Sequence, residues 1–328
     1  MLTQMKNFFI IMLLLSCVAQ AEEQILLIES YHPDLSWDIT YKQALRKYLE
    51  PKYKLVTFSL DTKKLPPSQH AAMADKAWER YLSLQPILVI LGDDPALKWL
   101  GKRFAQTKTP VVYLGVNNNV EAYLKFDEAS NITGVLERPL ILPGIKIYKQ
   151  ILPEAKRGLI ILDTSMTSQV IHNENFHNDQ PLKAEGITLD LKLVQHWDDW
   201  QQLVQNAKKN YDFVVIGLYH AVVDRSGKNI PEQTVIHWTI HHSKLPVFGL
   251  WDFAVGKDKA LGGLVISANE QGELAAQMAL EILDDKKSPE DIAPVLASKG
   301  ILLFSRSGLK RYKLTLPAIW GKTVTYMD

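Results

Sequence analysis

Six short stretches concentrate the side chains that could recognise a small molecule. They are Ser30-Tyr31-His32-Pro33 with Trp37, Gly92-Asp93-Asp94, Asn117-Asn118-Asn119, Asp163-Thr164-Ser165, Tyr219-His220 and Trp251-Asp252-Phe253. Trp37 offers a flat face to a planar or cationic group. Tyr31 offers a hydroxyl at the end of an apolar ring. Trp251 and Phe253 are two aromatic walls with the Asp252 carboxylate between them, an arrangement suited to a cation. Asn117 and Asn118 both donate and accept. Ser165 and Thr167 would bring hydroxyls and helix N-terminal N–H groups to an anionic group. Glu137, near the join of the two halves of the chain, completes the candidate set.

Each residue also has a plainer use. Trp37 packs on the first helix. Asp93 or Asp94 caps the helix that begins at Pro95. The asparagines make a turn that tolerates positive φ. Ser165 caps a helix, and Trp251 or Phe253 seals a hinge. What favours ligand recognition is their shared position, since all six stretches follow the carboxyl ends of strands.

Catalytic groupings are missing from the sequence. His237 and His241 stand at i, i+4, but no Glu follows the first His, so the zinc-protease motif is absent. With His242 they read as a solvated helix face, and His172 and His177 are isolated. There is no G-x-S-x-G elbow, no Walker loop, and no dinucleotide fingerprint around Gly115 or Gly134. The acid pairs Asp198-Asp199 and Asp284-Asp285 sit at helix ends. The expectation is a binding protein, not an enzyme, with no metal and no cofactor.

The elements that must hold these residues alternate. Gln24–Glu29, Tyr53–Leu60, Pro86–Leu91, Pro110–Val116 and Asn131–Leu136 are β-rich apolar runs. The spacing predicts helices over Ile39–Leu49, His70–Leu84 and Pro95–Ala105 between them. The pattern then restarts. Helices are expected over Pro143–Leu152, Ser168–Glu185, Asp198–Asn210 (capped by Asp198), Pro231–His242 and Glu270–Leu283. Strands are expected over Gly158–Asp163, Thr188–Val194, Phe213–Leu218, Pro246–Leu250 and Leu264–Ser267. This is α/β architecture twice over: two Rossmann-like lobes of parallel sheet flanked by helices, joined by a hinge. The expected divisions are a leader at 1–21, a first lobe at 22–138 and a second at 139–268. A C-terminal segment at 269–328 packs across both.

Residues 1–21 read as a secretory signal peptide. Lys6 gives a positive start, Phe8–Leu15 an apolar run too short to span a bilayer, and Ala19-Gln20-Ala21 a small-x-small cleavage site. A cleaved, soluble, periplasmic protein is expected. Leu14-Leu15-Ser16-Cys17 loosely resembles a lipidation site, the alternative that would tether it. Cleavage after Ala21 leaves 307 of 328 residues, 36 basic and 36 acidic, with no cysteine. No disulfide or thiol chemistry is then available. Neutral charge gives no reason to bind nucleic acid or an anionic membrane, and a monomer is expected.

Longer motifs carry a family likeness. Ile28-Glu29-Ser30-Tyr31-His32-Pro33…Trp37 resembles the strand-one loop of one branch of the ABC-transporter substrate-binding proteins. Pro110–Val116 with Asn131-Ile132-Thr133-Gly134-Val135 resembles their "PVV…GV…NVTGV" segment. Gly249-Leu250-Trp251-Asp252-Phe253, Leu261–Val265 and Glu270-Gln271-Gly272 resemble their second-domain signature. The resemblance implies a type I periplasmic binding protein fold and the tryptophan- and tyrosine-type uptake branch. It implies a membrane permease as partner. Related sensor domains imply the alternative, a membrane histidine kinase or diguanylate cyclase. One departure stands out: the aromatic amino-acid members resemble a Thr-Pro-Ala-Ala turn where this chain has Gly92-Asp93-Asp94-Pro95-Ala96. Two carboxylates there suit a cationic or hydroxyl-rich ligand. An exported α/β enzyme is the remaining alternative.

Overall fold

Strands covered on both faces need continuous apolar runs, and this chain supplies them. In the computed structural model, which describes residues 22–125, 129–176, 180–297 and 299–328, five of the six residues of β1 (Gln24–Glu29) are buried. There follow α1 (Ser36–Leu49), β2 (Lys54–Ser59), α2 (His70–Leu84), β3 (Leu88–Gly92), α3 (Asp93–Ala105), β4 (Val111–Val116) and β5 (Ile132–Glu137). The second series is α4 (Ile141–Ile151), β6 (Arg157–Leu162), α5 (Met166–Asn175), β7 (Leu182–Ala184), β8 (Ile187–Leu193), α6 (Trp197–Asn206), β9 (Phe213–Ile216), α7 (Glu232–His242) and β10 (Val247–Gly249). The chain ends with β11 (Gly262–Val265), α8 (Ala268–Leu283), β12 (Val295–Ala297), β13 (Ile301–Phe304), α9 (Arg306–Tyr312) and β14 (Val324–Tyr326).

Two sheets organise two lobes. The first has the order β12-β5-β4-β3-β1-β2, parallel throughout. The second runs β10-β9-β6-β8-β7, parallel except at β7. A small third sheet, β11-β13-β14, lies beside the β10 edge of the second, joined to it by hydrogen bonds such as Leu261 N to Val247 O at 2.8 Å. In each large sheet the winding reverses at one place: between β1 and β3, and between β6 and β9. Such switch points open a crevice at the carboxyl ends of the strands. The stretches after β1, β3, β6 and β9 are four of the six candidate stretches. The chain passes between the lobes after β5, before α8 and after β12.

Helix α8 returns to the first lobe and lies on α1. Its small face makes this possible: a Cβ on Gly272 would stand 2.3 Å from the Tyr41 carbonyl oxygen.

Some expected elements need correction. The helix foreseen over 168–185 stops at Asn175, and Leu182–Ala184 is a strand paired antiparallel with β8. Glu185 (φ 53°) and Gly186 (φ 73°) make the two-residue turn of that hairpin, the geometry that matches strand twist. His177 lies outside the described residues, as does the leader at 1–21 with Cys17. Asp198 does not cap α6; His196 occupies that position, and Asp198 pairs with Arg225 at 2.9 Å. The strand foreseen at Leu264–Ser267 is Gly262–Val265, and it pairs with β13 in the third sheet. No described helix is long and apolar enough to cross a membrane.

Candidate functional site

The four switch-point loops and the strand ends beside them meet between the lobes. Four side-chain pairs join one lobe to the other there. Tyr31 and Thr167 share a hydrogen bond of 2.9 Å between their hydroxyls. The Trp37 ring meets Phe253 edge-on at 6.4 Å. Trp251 donates its indole N–H to Glu137 Oε1 at 3.1 Å. His32 Nε2 lies 3.7 Å from Glu232 Oε2, which is also 3.5 Å from His220 Nε2. The cleft is therefore closed.

Several candidate residues hold the scaffold. Neither Asp93 nor Asp94 caps α3. The Ser30 hydroxyl, from the end of β1, accepts the Ala96 N–H at 2.8 Å and donates to the Gly92 carbonyl. Asp94 accepts from the backbone N–H groups of Asn117 and Asn118 and from the Tyr123 hydroxyl, at 2.9–3.0 Å. It fixes the loop after β4. The Asn118 side chain accepts from Asn119 N. Ser165 caps α5 and donates to Asp163. Asp252 does not stand between its aromatic neighbours as a cation ligand. It turns to the start of α8 and accepts from Ala268 N at 3.3 Å.

The residues left over form the inner site. Asp93 accepts the Trp37 indole N–H on Oδ1 at 3.2 Å, and its Oδ2 has no partner. It is held at φ 66°, a left-handed conformation that costs energy for a residue with a side chain and clusters at binding sites. Its neighbour must be glycine, because a Cβ on Gly115 would stand 2.8 Å from Asp93 Oδ1. Asn117 donates its amide N–H to Glu137 Oε1 at 3.1 Å and to the Gly115 carbonyl at 3.2 Å. Both partners are acceptors, so the amide orientation is fixed and Oδ1 faces away, unpaired. Glu137 accepts from Asn117 and Trp251 on Oε1, and its Oε2 is unpaired. Phe253 sits at the centre of the aromatic wall, stacked on Trp251 at 6.1 Å and edge-on to His220 at 5.1 Å. His220 in turn stacks on Tyr219 at 4.4 Å.

Burial sets the electrostatics. It pushes the Glu137 carboxyl up to about 8. Asp93 is raised well above the usual carboxylate range by burial and by the charges of Asp38 and Glu137. Asp38, tied to the Tyr41 hydroxyl at 2.7 Å, is raised in the same way, with Glu29 adding to burial. Removing carboxylates from water disfavours the charged form, and the unpaired oxygens leave that cost uncompensated. Burial also lowers His220 well below the ordinary imidazole range, so it is neutral.

Four site residues were not foreseen. Lys63 is buried, with its Nζ 3.7 Å above the Tyr31 ring. Asp38 lies one residue past Trp37 in α1. Glu232 opens α7, and Gln271 of α8 accepts from Gly115 N at 2.9 Å. Lys63 follows β2, another strand end, which is the signal that could have found it. Outside Tyr31 a groove of about 600 Å³ opens between the lobes, lined by Lys63, His70, Trp99, Ser165, Gln169 and Gln195. It does not reach Asp93 or Glu137. Tyr31 stands between, lining the groove and bonding to Thr167 across the cleft. On α7, His237, His241 and His242 lie on an exposed face, with His242 stacked on Trp238 at 4.1 Å. No group of three His, Cys, Asp or Glu among the described residues is arranged to hold a metal.

Known structures share this architecture. A conserved domain protein from Vibrio cholerae is 18% identical, with a TM-score of 0.64 over 94% of this chain and 99% of that one. The ABC domain from Streptococcus pneumoniae in complex with L-Trp is 18% identical, with a TM-score of 0.67 over 94% and 100%. A solute-binding protein of an ABC transporter from Rhodopseudomonas palustris, in complex with 3,4-dihydroxybenzoic acid, is 11% identical, with a TM-score of 0.53 over 82% and 83%. No curated protein matches the sequence. The family model described as ABC transporter substrate binding protein matches residues 87–319, and the chain belongs to that family.

Proposed function

We propose that this protein captures a small solute between its lobes outside the inner membrane and hands it to the permease of an ABC uptake system. The observation that carries the reading is the closed cleft: four interlobe pairs surround buried acceptor atoms that no protein group satisfies. Buried polar atoms without partners are rare in folded proteins, and a bound solute would supply the missing donors. The wall of Trp37, Phe253 and Trp251 suits a flat or hydrocarbon body. The solved relatives that hold L-Trp and 3,4-dihydroxybenzoic acid also carry flat rings. Closure couples occupancy to shape, because a solute that touches both lobes favours the closed state by its differential affinity. A permease that docks on both lobes then distinguishes loaded from empty protein.

The test is a thermal-shift screen of amines, amino acids, nucleosides, sugars and aromatic acids, paired with small-angle scattering. A solute that binds the folded form raises the melting temperature and should reduce the radius of gyration. A screen in which nothing shifts either quantity contradicts the reading.

A further inference from the structure

We propose that the solute is an organic cation with at least two N–H donors and a flat or hydrocarbon body, held by Asp93, Asn117 and Glu137. This rests on the solute-binding reading above and names the class of ligand. The three residues follow or end β3, β4 and β5, which are adjacent in the first sheet. Their side chains thus line one carboxyl edge. Each is almost wholly buried, at 3%, 2% and 2% exposure. Each presents one oxygen without a partner: Asp93 Oδ2, Asn117 Oδ1 and Glu137 Oε2. Asn117 Oδ1 is an acceptor, and Asp93 Oδ2 and Glu137 Oε2 are acceptors once their carboxyls, which burial holds protonated, ionise beside a donor. The Trp37 and Trp251 indole N–H groups are already engaged, holding Asp93 and Glu137 by their other oxygens. A ligand that completes this set must donate.

Charge points the same way. Asp38, Asp93 and Glu137 are three buried carboxylates, and Lys63 is the buried lysine that faces them. Lys42 is taken by Glu29. Burial disfavours the charged form of these carboxyls; a cation beside them restores it and gains from each, whereas a zwitterion brings no net charge to do so. The aromatic surfaces of Trp37, Phe253 and Trp251 add favourable contact with a cation. The described residues offer no three-ligand metal set, and the flat aromatic wall suits an organic cation.

Isothermal titration calorimetry on the purified protein tests this with four amines and their parent amino acids: tyramine and tyrosine, tryptamine and tryptophan, agmatine and arginine, cadaverine and lysine. At least one amine should bind tenfold or more tightly than its parent. Asp93→Asn and Glu137→Gln should each weaken that amine at least tenfold without lowering the melting temperature. An amino acid, or 3,4-dihydroxybenzoate, that binds more tightly than every amine overturns the cation proposal and leaves the solute-binding reading standing. Unchanged amine affinity in both variants also overturns it. If no compound in this series or in the broader screen binds, both readings fall.

Discussion

Trp251 of the second lobe donates its indole N–H to Glu137 of the first, 3.1 Å away, while the other oxygen of that carboxylate has no partner. One side chain thus serves both as a latch between lobes and as an unsatisfied acceptor. A latch of this kind is strengthened by whatever compensates the carboxylate. On the proposed reading, closure and solute capture are a single event.

Glu137→Gln should stabilise the ligand-free protein. Gln keeps an oxygen for Trp251 and removes a charge that burial disfavours. The gain should be roughly 1–3 kcal/mol at pH 8, shrinking towards zero near pH 5. Denaturant unfolding at the two pH values checks it; a variant equally destabilised at both would contradict it.

The same group sets a pH profile. Its carboxyl titrates at about 8 when folded and in the ordinary carboxylate range when unfolded. Between those values the folded state binds more protons, so stability falls as pH rises. Melting temperature of the ligand-free protein should decline from pH 5 to about pH 8 and the contribution of this group should level off above that, and the decline should be shallower in Glu137→Gln.

Tyr31→Phe removes the hydroxyl that meets Thr167 across the cleft. One hydrogen bond contributes about 1 kcal/mol, so affinity for the solute should drop about fivefold. The bond is one of several contacts between lobes that also share a buried apolar cluster, so unfolding should change by no more than about 1 kcal/mol. Calorimetry and a thermal scan separate the two effects; a large loss of stability would mean the lobes do not close independently of folding.

Ser30→Ala tests the scaffold. Its hydroxyl both caps α3 and ties β1 to β3. Stability should fall by roughly 1–2 kcal/mol, read from urea unfolding.

Gly272→Ala should cost roughly 1–3 kcal/mol by overpacking, because its Cβ would meet the Tyr41 carbonyl where α8 crosses α1. A neutral result would show that the two helices can part.

Much of this was legible in the sequence. Apolar runs such as Gln24–Glu29 and helical spacing such as His70–Leu84 mark their elements by period alone, and the structure reproduces those two ranges. The hairpin at Glu185-Gly186 was not legible as a turn, because it needs a non-glycine residue at positive φ. Tyr31, Trp37, Asp93, Asn117, Glu137, Thr167, Trp251 and Phe253 do meet between the lobes. The role of Asp94 could not be read locally. Its partners lie 23 to 29 residues away in the next loop, as do those of Ser30 beyond 60 residues. Asp252 had the right neighbours in sequence and the wrong direction in space. Lys63 carries no motif beyond its place after β2, and Glu232 gains its meaning only from His32 of the other lobe.

A crystal structure of the protein purified from cells that export it, with no ligand added, tests the central claim most directly. The account predicts density for a small molecule within hydrogen-bonding distance of Asp93 Oδ2 and Glu137 Oε2, stacked against Phe253. A solute found instead in the outer groove beside Lys63 and Trp99, with those two oxygens still unpaired, would contradict it.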